Sequence, residues 1–447
     1  MPKLALNAVV GETDNTILPN NGQYIRVGTL PFFKYDNIAD VSLHEYIAAL
    51  ERLRLVPSER AMDLLIIACT MYGADTRIDR ESYAEDSWTR MIDLYIPVSD
   101  PEFWDSQRPI MKKIFRFLTG DIWDLNFRAR ANPGQSIAPR GNRRGGLMPY
   151  QTDTVCLFSG GMDSLIGAID LLSNGIRPLL LGHAKSADVT TYQHNCFEAI
   201  KDGFPNLQPT FVYSFVRIPK GNLFDSEDHT ERGRSFLFLT LGSICASALQ
   251  PQSRLIVPEN GMISLNIPLT PLRVGSHSTR TTHPHYFSMM QELFDNMNLG
   301  VVIQNPYQFK TKGQMLAECR NNNLVANTES MSCSHPVARW QGERPGHCGY
   351  CVPCIIRQAA FRGAGIRDNT HYRRNIFSAG GLDITRVEGA DVLAFKYLIE
   401  KVRRNPAFLT AAIRTTGPLG DDVDAFVNVY RAALSEVEAL VAPLILV

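Results

Sequence analysis

The sequence has no surplus of charge of either sign. Lys plus Arg and Asp plus Glu number 45 each in 447 residues. That balance supplies no global field for nucleic acid or an anionic membrane. There is no uninterrupted apolar run of membrane-spanning length, and the start at Met1 carries no charged-then-apolar leader. A cytoplasmic chain with no membrane partner is the expectation. No internal repeat is visible. Hydrophobic residues make up 45 % of the chain, ordinary for a globular protein, and the length suffices for two or three domains.

What is present is concentrated in two places. The first is Val155-Cys156-Leu157-Phe158-Ser159-Gly160-Gly161-Met162-Asp163-Ser164. An apolar strand runs into Ser-Gly-Gly-x-Asp-Ser and a helix begins at once. Two glycines permit a sharp turn and a close backbone approach to a phosphate. The helix N-terminus offers unpaired N–H groups and the positive end of its dipole. Ser159 and Ser164 add hydroxyls, and Asp163 can cap the helix or meet Mg²⁺. The stretch is neither G-x-x-x-x-G-K-[ST] nor G-x-G-x-x-G. An ordinary strand–turn–helix is the competing explanation.

The second concentration is in the cysteines. Cys69, Cys156, Cys196, Cys245 and Cys319 are scattered in apolar contexts and read as buried thiols. Cys333, Cys348, Cys351 and Cys354 are clustered, with two Cys-x-x-Cys steps that let neighbouring sulfurs meet one ion. Four thiolates suit a closed structural Zn²⁺ site; a [4Fe–4S] cluster is the alternative. His335 and His347 lie between the first two cysteines and receive no ligand role.

Periodicity sets the organisation. Residues 1–128 are expected to form an N-terminal α+β domain. It has a helix from Ser58 to Tyr72 stopped by Gly73, a strand from Arg90 to Val98, and a hairpin joining Phe115–Leu118 to Trp123, Leu125 and Phe127. Residues 129–149 are rich in Arg, Gly and Pro and read as a linker or as an arginine-lined flap over phosphate. From 150 to 370 strands and helices alternate. Strands fit Thr154–Phe158, Pro178–Gly182, Thr210–Val216, Arg254–Pro258 and Gly300–Gln304, with helices between them. Such alternation predicts an α/β, doubly wound parallel sheet with ligands at the strands' carboxyl ends. Residues 371–447 are expected to be a helical C-terminal extension, with Asp391–Val402 and Val423–Val441 its best segments.

The phosphate loop and the cysteine cluster together resemble the 7-cyano-7-deazaguanine synthase (QueC) family of PP-loop ATP pyrophosphatases. The likeness continues through Cys348-Gly349-Tyr350-Cys351-Val352-Pro353-Cys354-Ile355-Ile356-Arg357, then Phe361, Ala364-Gly365 and Asp368. Asn305-Pro306-Tyr307 with Lys310 and Lys312, and Arg232-Gly233-Arg234-Ser235, are similar to two further family segments. The extended architecture is similar to QueC-like (QatC-like) proteins of bacterial anti-phage defence. Departures fall at Leu181-Gly182-His183-Ala184 and at Glu259-Asn260-Gly261-Met262 with the long insert that follows.

The resemblance implies a PP-loop (HUP-like) adenine-nucleotide fold, a zinc site, and ATP and Mg²⁺ as cofactors. It implies a ligase that adenylates 7-carboxy-7-deazaguanine and passes it to an amine, plausibly of a partner protein acting in defence. Ser159, Gly160, Gly161, Met162, Asp163 and Ser164 would hold pyrophosphate. Arg232, Arg234, Lys310 and Lys312 would neutralise developing charge. Leu181, Gly182 and His183 would seat adenine, and Glu259 and Asn260 would meet ligand. His277, His283 and His285 lie in the insert, either over the substrate or in a solvated loop. Three other readings compete: a free-standing synthase making the nitrile from ammonia, a PP-loop tRNA-modifying sulfurtransferase, and a scaffold that binds nucleotide without turnover.

Overall fold

The computed structural model describes all residues except 1–2, 21, 35–37, 85, 133–135, 140–149, 185–186, 220–223, 225–226, 229, 270–279, 337–345 and 378–380. Two parallel sheets and a helical bundle make up the described chain.

The first sheet holds four strands in the order β2-β1-β3-β4: β1 Lys3–Val10, β2 Arg26–Phe32, β3 Met91–Val98 and β4 Ile122–Ala129. Every pairing is parallel, so this unit is α/β rather than α+β. The expected hairpin is absent. Phe115–Leu118 is the end of a long helix, α4 (Pro101–Thr119), capped at its start by Asp100 and closed by Gly120 in the left-handed region. A parallel neighbour requires such a crossover. Nor does Gly73 stop a helix: α2 runs Glu59–Arg77, and a Cβ on Gly73 would lie 3.0 Å from Leu30. The glycine serves close packing of helix on sheet.

The second sheet has the order β7-β6-β5-β8-β9, again all parallel: β5 Thr154–Leu157, β6 Leu179–Ala184, β7 Thr210–Phe215, β8 Ser253–Ile256 and β9 Val301–Gln304. It is the doubly wound α/β sheet expected from the alternation. The helices α5 (Met162–Ser173), α6 (Ala187–Gly203), α7 (Arg234–Ser247), α9 (Pro284–Asn296) and α10 (Lys312–Glu318) fall where the periodicity puts them. Successive strands run outward from β5 to β7, then return to β8 on the other side of β5. The switch point, where such sheets bind ligands, therefore lies between β5 and β8.

The two sheets share one hydrophobic core. Helices α2 and α4 pack against α7 and α9. Phe115 meets Phe236 edge-on at 5.0 Å, and the buried Tyr46 hydroxyl donates to the Leu241 carbonyl at 2.7 Å. The C-terminal helices α13 (Val387–Arg404), α14 (Ala407–Arg414) and α15 (Val423–Val441) form a second core with α12 (Val352–Ala364). No helix among the described residues is long and apolar enough to cross a membrane.

Candidate functional site

The loop after β5 is built from its glycines outward. Gly160 has φ +80°, and a Cβ there would lie 2.9 Å from the Gln193 backbone nitrogen. Only glycine fits that turn. Gly161 caps α5 without a side chain of its own; its N–H donates to Ser159 Oγ at 3.3 Å. The Met162 side chain is buried in the core, and its N–H donates to Ser332 Oγ at 3.3 Å. Met331 N–H donates to the Gly160 carbonyl at 2.8 Å. The segment just before Cys333 thus braces the loop from outside. Ser159 and Ser164 hydroxyls lie 3.2 Å apart on its inner side.

Asp163 is buried and fully engaged. Its Oδ1 lies 2.9 Å from Lys312 Nζ, and its Oδ2 accepts from Asn260 Nδ2 at 2.7 Å and Asn260 N–H at 3.2 Å. Burial opposes its ionisation, but the Lys312 ammonium and the hydrogen bonds from Glu259, Asn260 and Lys312 together outweigh it and hold the carboxyl below the usual range. Glu259 sits beside it. Burial and the Asp163 charge push the Glu259 carboxyl well above the usual range, and Asn260 Nδ2 donates to its Oε1 at 3.1 Å. Asn305 Nδ2 donates to the Glu259 carbonyl at 2.8 Å and fixes that turn.

At the switch point a cavity of about 300 Å³ opens against Leu157, Ser159, Ser164 and Glu259. Glu231, Arg232 and Arg234 form its opposite side, Phe238, Val257 and Pro258 its apolar walls, and Thr281 and Thr282 come from the insert. The structure therefore brings Ser159, Ser164, Glu259, Arg232 and Arg234 together around one space. Asp163, Asn260 and Lys312 support it from behind. Lys310 is directed elsewhere: its ammonium pairs with Glu318 at 2.6 Å. Lys312 is the first residue of α10, whereas Lys310 precedes the extended N-cap Thr311, so the two side chains leave the chain in different directions. Leu181, Gly182 and His183 end β6 in the buried interior rather than at the cavity; His183 accepts from Arg234 Nη2 through its carbonyl at 3.2 Å.

Arg232 rests on a buried charge network that the sequence did not reveal. Its Nη1 donates to the Thr119 carbonyl at 2.9 Å, and its guanidinium stacks 4.1 Å from the Trp88 ring centroid. Below it, Arg90 pairs with Asp75 and Asp121, and Arg80 with Asp121 and Asp228. Burial, followed by repulsion from Arg80, brings the Arg232 guanidinium down to about 10, so it stays charged at neutral pH. Asp75 accepts from the Gly233 N–H at 2.7 Å, and Tyr72 donates to Glu231 at 3.1 Å. Glu231 is held at φ +48°, a strained position for a residue with a side chain. The N-terminal unit thus supports Glu231, Arg232 and Gly233 from behind the cavity. Short-range patterns carry no trace of this, because the partners are far apart in sequence.

The arginines near 130 are not a flap. Arg128 pairs with Asp14 at 2.8 Å, and Arg130 pairs with Glu59 at 2.6 Å and also with Asp63. Arg140, Arg143 and Arg144 lie outside the described residues, as does His277. His283 is fully buried, not solvated: Thr416 Oγ1 lies 2.9 Å from its Nε2, and its Nδ1 accepts from the His285 N–H. Burial and then Arg280 press its imidazole down to about 3, so it is neutral.

Cys333, Cys348, Cys351 and Cys354 converge, with all four sulfurs within 4.8 Å of one another. Two of the edges measure 3.7 and 3.9 Å. A tetrahedron of thiolates about 2.3 Å from zinc has edges of roughly 3.8 Å, so the set can bind Zn²⁺. Backbone N–H groups of His335 and Cys348 point at Cys333 Sγ at 3.3 Å, as suits thiolates. Gly349 has φ +95°, and a Cβ there would strike the Arg374 carbonyl at 2.2 Å. His347 is spoken for: its Nε2 accepts from the Ser332 N–H at 3.2 Å.

Fold and site together define a doubly wound α/β protein with a glycine-turn phosphate loop and a four-cysteine centre beside it. No family model matches the chain. It is similar to a 7-cyano-7-deazaguanine synthase of Picrophilus torridus, 22 % identical over 240 residues, which cover 49 % of this chain and 92 % of that protein. The match supports kinship with QueC-like proteins and leaves half of this chain without a counterpart in that enzyme.

Proposed function

We propose that the chain is an ATP-dependent, AMP-forming enzyme of the PP-loop type acting on a 7-deazaguanine carboxylate. The observation that carries this is the cavity where the Ser159 and Ser164 hydroxyls, Glu259 and the Arg232 and Arg234 guanidinium groups meet at the sheet's switch point. A carboxylate is a poor electrophile. Its oxygen attacks the α-phosphorus of ATP, the bond to the β-phosphate oxygen breaks, and pyrophosphate leaves. An amine then attacks the acyl carbon, AMP leaves, and the amine gives up a proton.

The chain's residues divide this work. Ser159, Ser164 and the α5 N-terminus receive the pyrophosphate. Arg232 and Arg234 neutralise charge on the polyphosphate and the carboxylate. Asp163, held by Lys312 and Asn260, fixes the first turn of α5. Glu231 and Glu259 are the carboxylates facing the cavity, and Glu259 would give up the proton it holds in the empty site to meet Mg²⁺ entering with the triphosphate. Zinc would brace the Met331–Cys333 segment against the loop and perform no chemistry.

The amine is proposed to belong to a partner protein, in a defence setting, as the resemblance to extended QueC-like proteins implies. The similarity to a named 7-cyano-7-deazaguanine synthase favours a second reading, a free nitrile made with ammonia. Incubation with Mg-ATP, 7-carboxy-7-deazaguanine and either ammonium or candidate partner proteins, followed by mass spectrometry, separates the two. A deazaguanine mass added to a protein supports conjugation; a free nitrile alone returns the chain to the biosynthetic reading.

A further inference from the structure

Arg357, on α12 three residues beyond Cys354, is 2 % exposed. Its Nη1 donates to Ser330 Oγ at 3.0 Å and its Nε to Thr370 Oγ1 at 2.9 Å. Both partners are neutral. Among the described residues no carboxylate lies within ion-pair distance of this guanidinium, and its Nη2 donates to nothing. Among the described residues, the deeply buried Arg80, Arg90 and Arg130 are each paired with aspartate. The Phe361 ring, 5.3 Å from the guanidinium, is a weak substitute for a counter-ion, and a buried charge without one is costly, so the missing anion calls for an explanation.

Arg357 lines a separate cavity of about 200 Å³, on the cysteine-cluster side of the phosphate loop. Thr328, Ser330, Gly346 and His347 line its interior, and the exposed Glu329, Asn369 and His371 stand at its mouth. None of these residues lines the 300 Å³ cavity. The two hydroxyl partners aim the guanidinium fork and leave its remaining N–H groups for a ligand. A planar fork of this kind recognises carboxylate and phosphate oxygens.

We propose that this cavity is a second binding site, for the oxyanion of a small ligand bearing a carboxylate or phosphate group. Its position allows it to report on the phosphate loop. Ser330 adjoins Met331, whose N–H holds the Gly160 carbonyl at 2.8 Å. The proposal is independent of the adenylation reading.

The test is calorimetric titration of the zinc-loaded full chain with inorganic phosphate and, separately, with acetate. The variants are Arg357→Gln, Arg357→Lys, His371→Glu and Ser164→Ala. A saturable site weakened at least tenfold by Arg357→Gln, less by Arg357→Lys, and untouched by Ser164→Ala is expected. Preference for phosphate assigns a phosphorylated ligand, and preference for acetate a carboxylate. Should Arg357→Gln lose its zinc or its fold, His371→Glu decides, since a second carboxylate beside Glu329 at the exposed mouth weakens binding of the anion. No saturable binding outside the phosphate loop, or equal affinity in folded Arg357→Gln or His371→Glu, overturns the proposal.

Discussion

Lys312 Nζ lies 2.9 Å from Asp163 Oδ1, and both side chains are buried behind the phosphate loop. Lys312→Met leaves the Asp163 charge buried and unpaired, at a cost of about 3–5 kcal/mol. Asp163→Asn with Lys312→Met removes both charges and recovers most of that stability. Denaturant melts of the single and double variants check this. A single variant as stable as wild type would show the pair to be unimportant.

Glu259 carries the opposite shift. Its folded carboxyl holds its proton above the pH at which the unfolded one, near 4.3, releases it. Stability is therefore lost as pH rises from that value towards the folded one. Gln mimics the protonated acid and has no such loss. Glu259→Gln is expected to melt with wild type near pH 4 and above it at pH 8. Parallel melting curves across that range would contradict the upward shift of the Glu259 carboxyl.

Much of this was legible in the chain. The strands of the second sheet lie close to their expected bounds because 2.0 and 3.6 periodicities alternate there, while α6 starts at Ala187, six residues before the expected Gln193. The Phe115–Phe127 stretch misled because the aromatic run at Phe115 and Phe117 reads as a strand in a short window. The wider spacing of Trp104, Met111, Phe115 and Leu118, with Asp100-Pro101 at the start, belongs to a helix. As candidates, Ser159 and Ser164 were picked out by the local loop pattern, Glu259 by its place at a strand's carboxyl end, and Arg232 and Arg234 by the resemblance. Tyr72, Asp75, Arg80 and Glu231 were not, because only tertiary packing unites them.

The N-terminal unit should matter to ligand binding, and the Tyr72 hydroxyl is one contact through which this can be tested. Tyr72→Phe frees Glu231 from its 3.1 Å hydrogen bond, worth about 1 kcal/mol. Roughly a fivefold fall in kcat/KM is expected with the melting temperature nearly unchanged. Unaltered steady-state kinetics would show that the Tyr72–Glu231 contact does not serve the site.

Cys351→Ser removes one of four thiolates from the cluster. Metal content should fall, and the melting temperature with it, because metal binding contributes directly to folding. Chelation of wild type should give the same shift. Retention of one zinc per chain in the variant would contradict the ligand assignment.

The most direct measurement is of nucleotide products. Wild type and Asp163→Ala are incubated with Mg-ATP, with and without 7-carboxy-7-deazaguanine and an amine, and AMP and pyrophosphate are quantified. AMP and pyrophosphate in equal amounts, dependent on the carboxylate and abolished by Asp163→Ala in a folded protein, are predicted. ADP with phosphate, or AMP formed equally without the carboxylate or by the variant, would contradict adenylation at this loop.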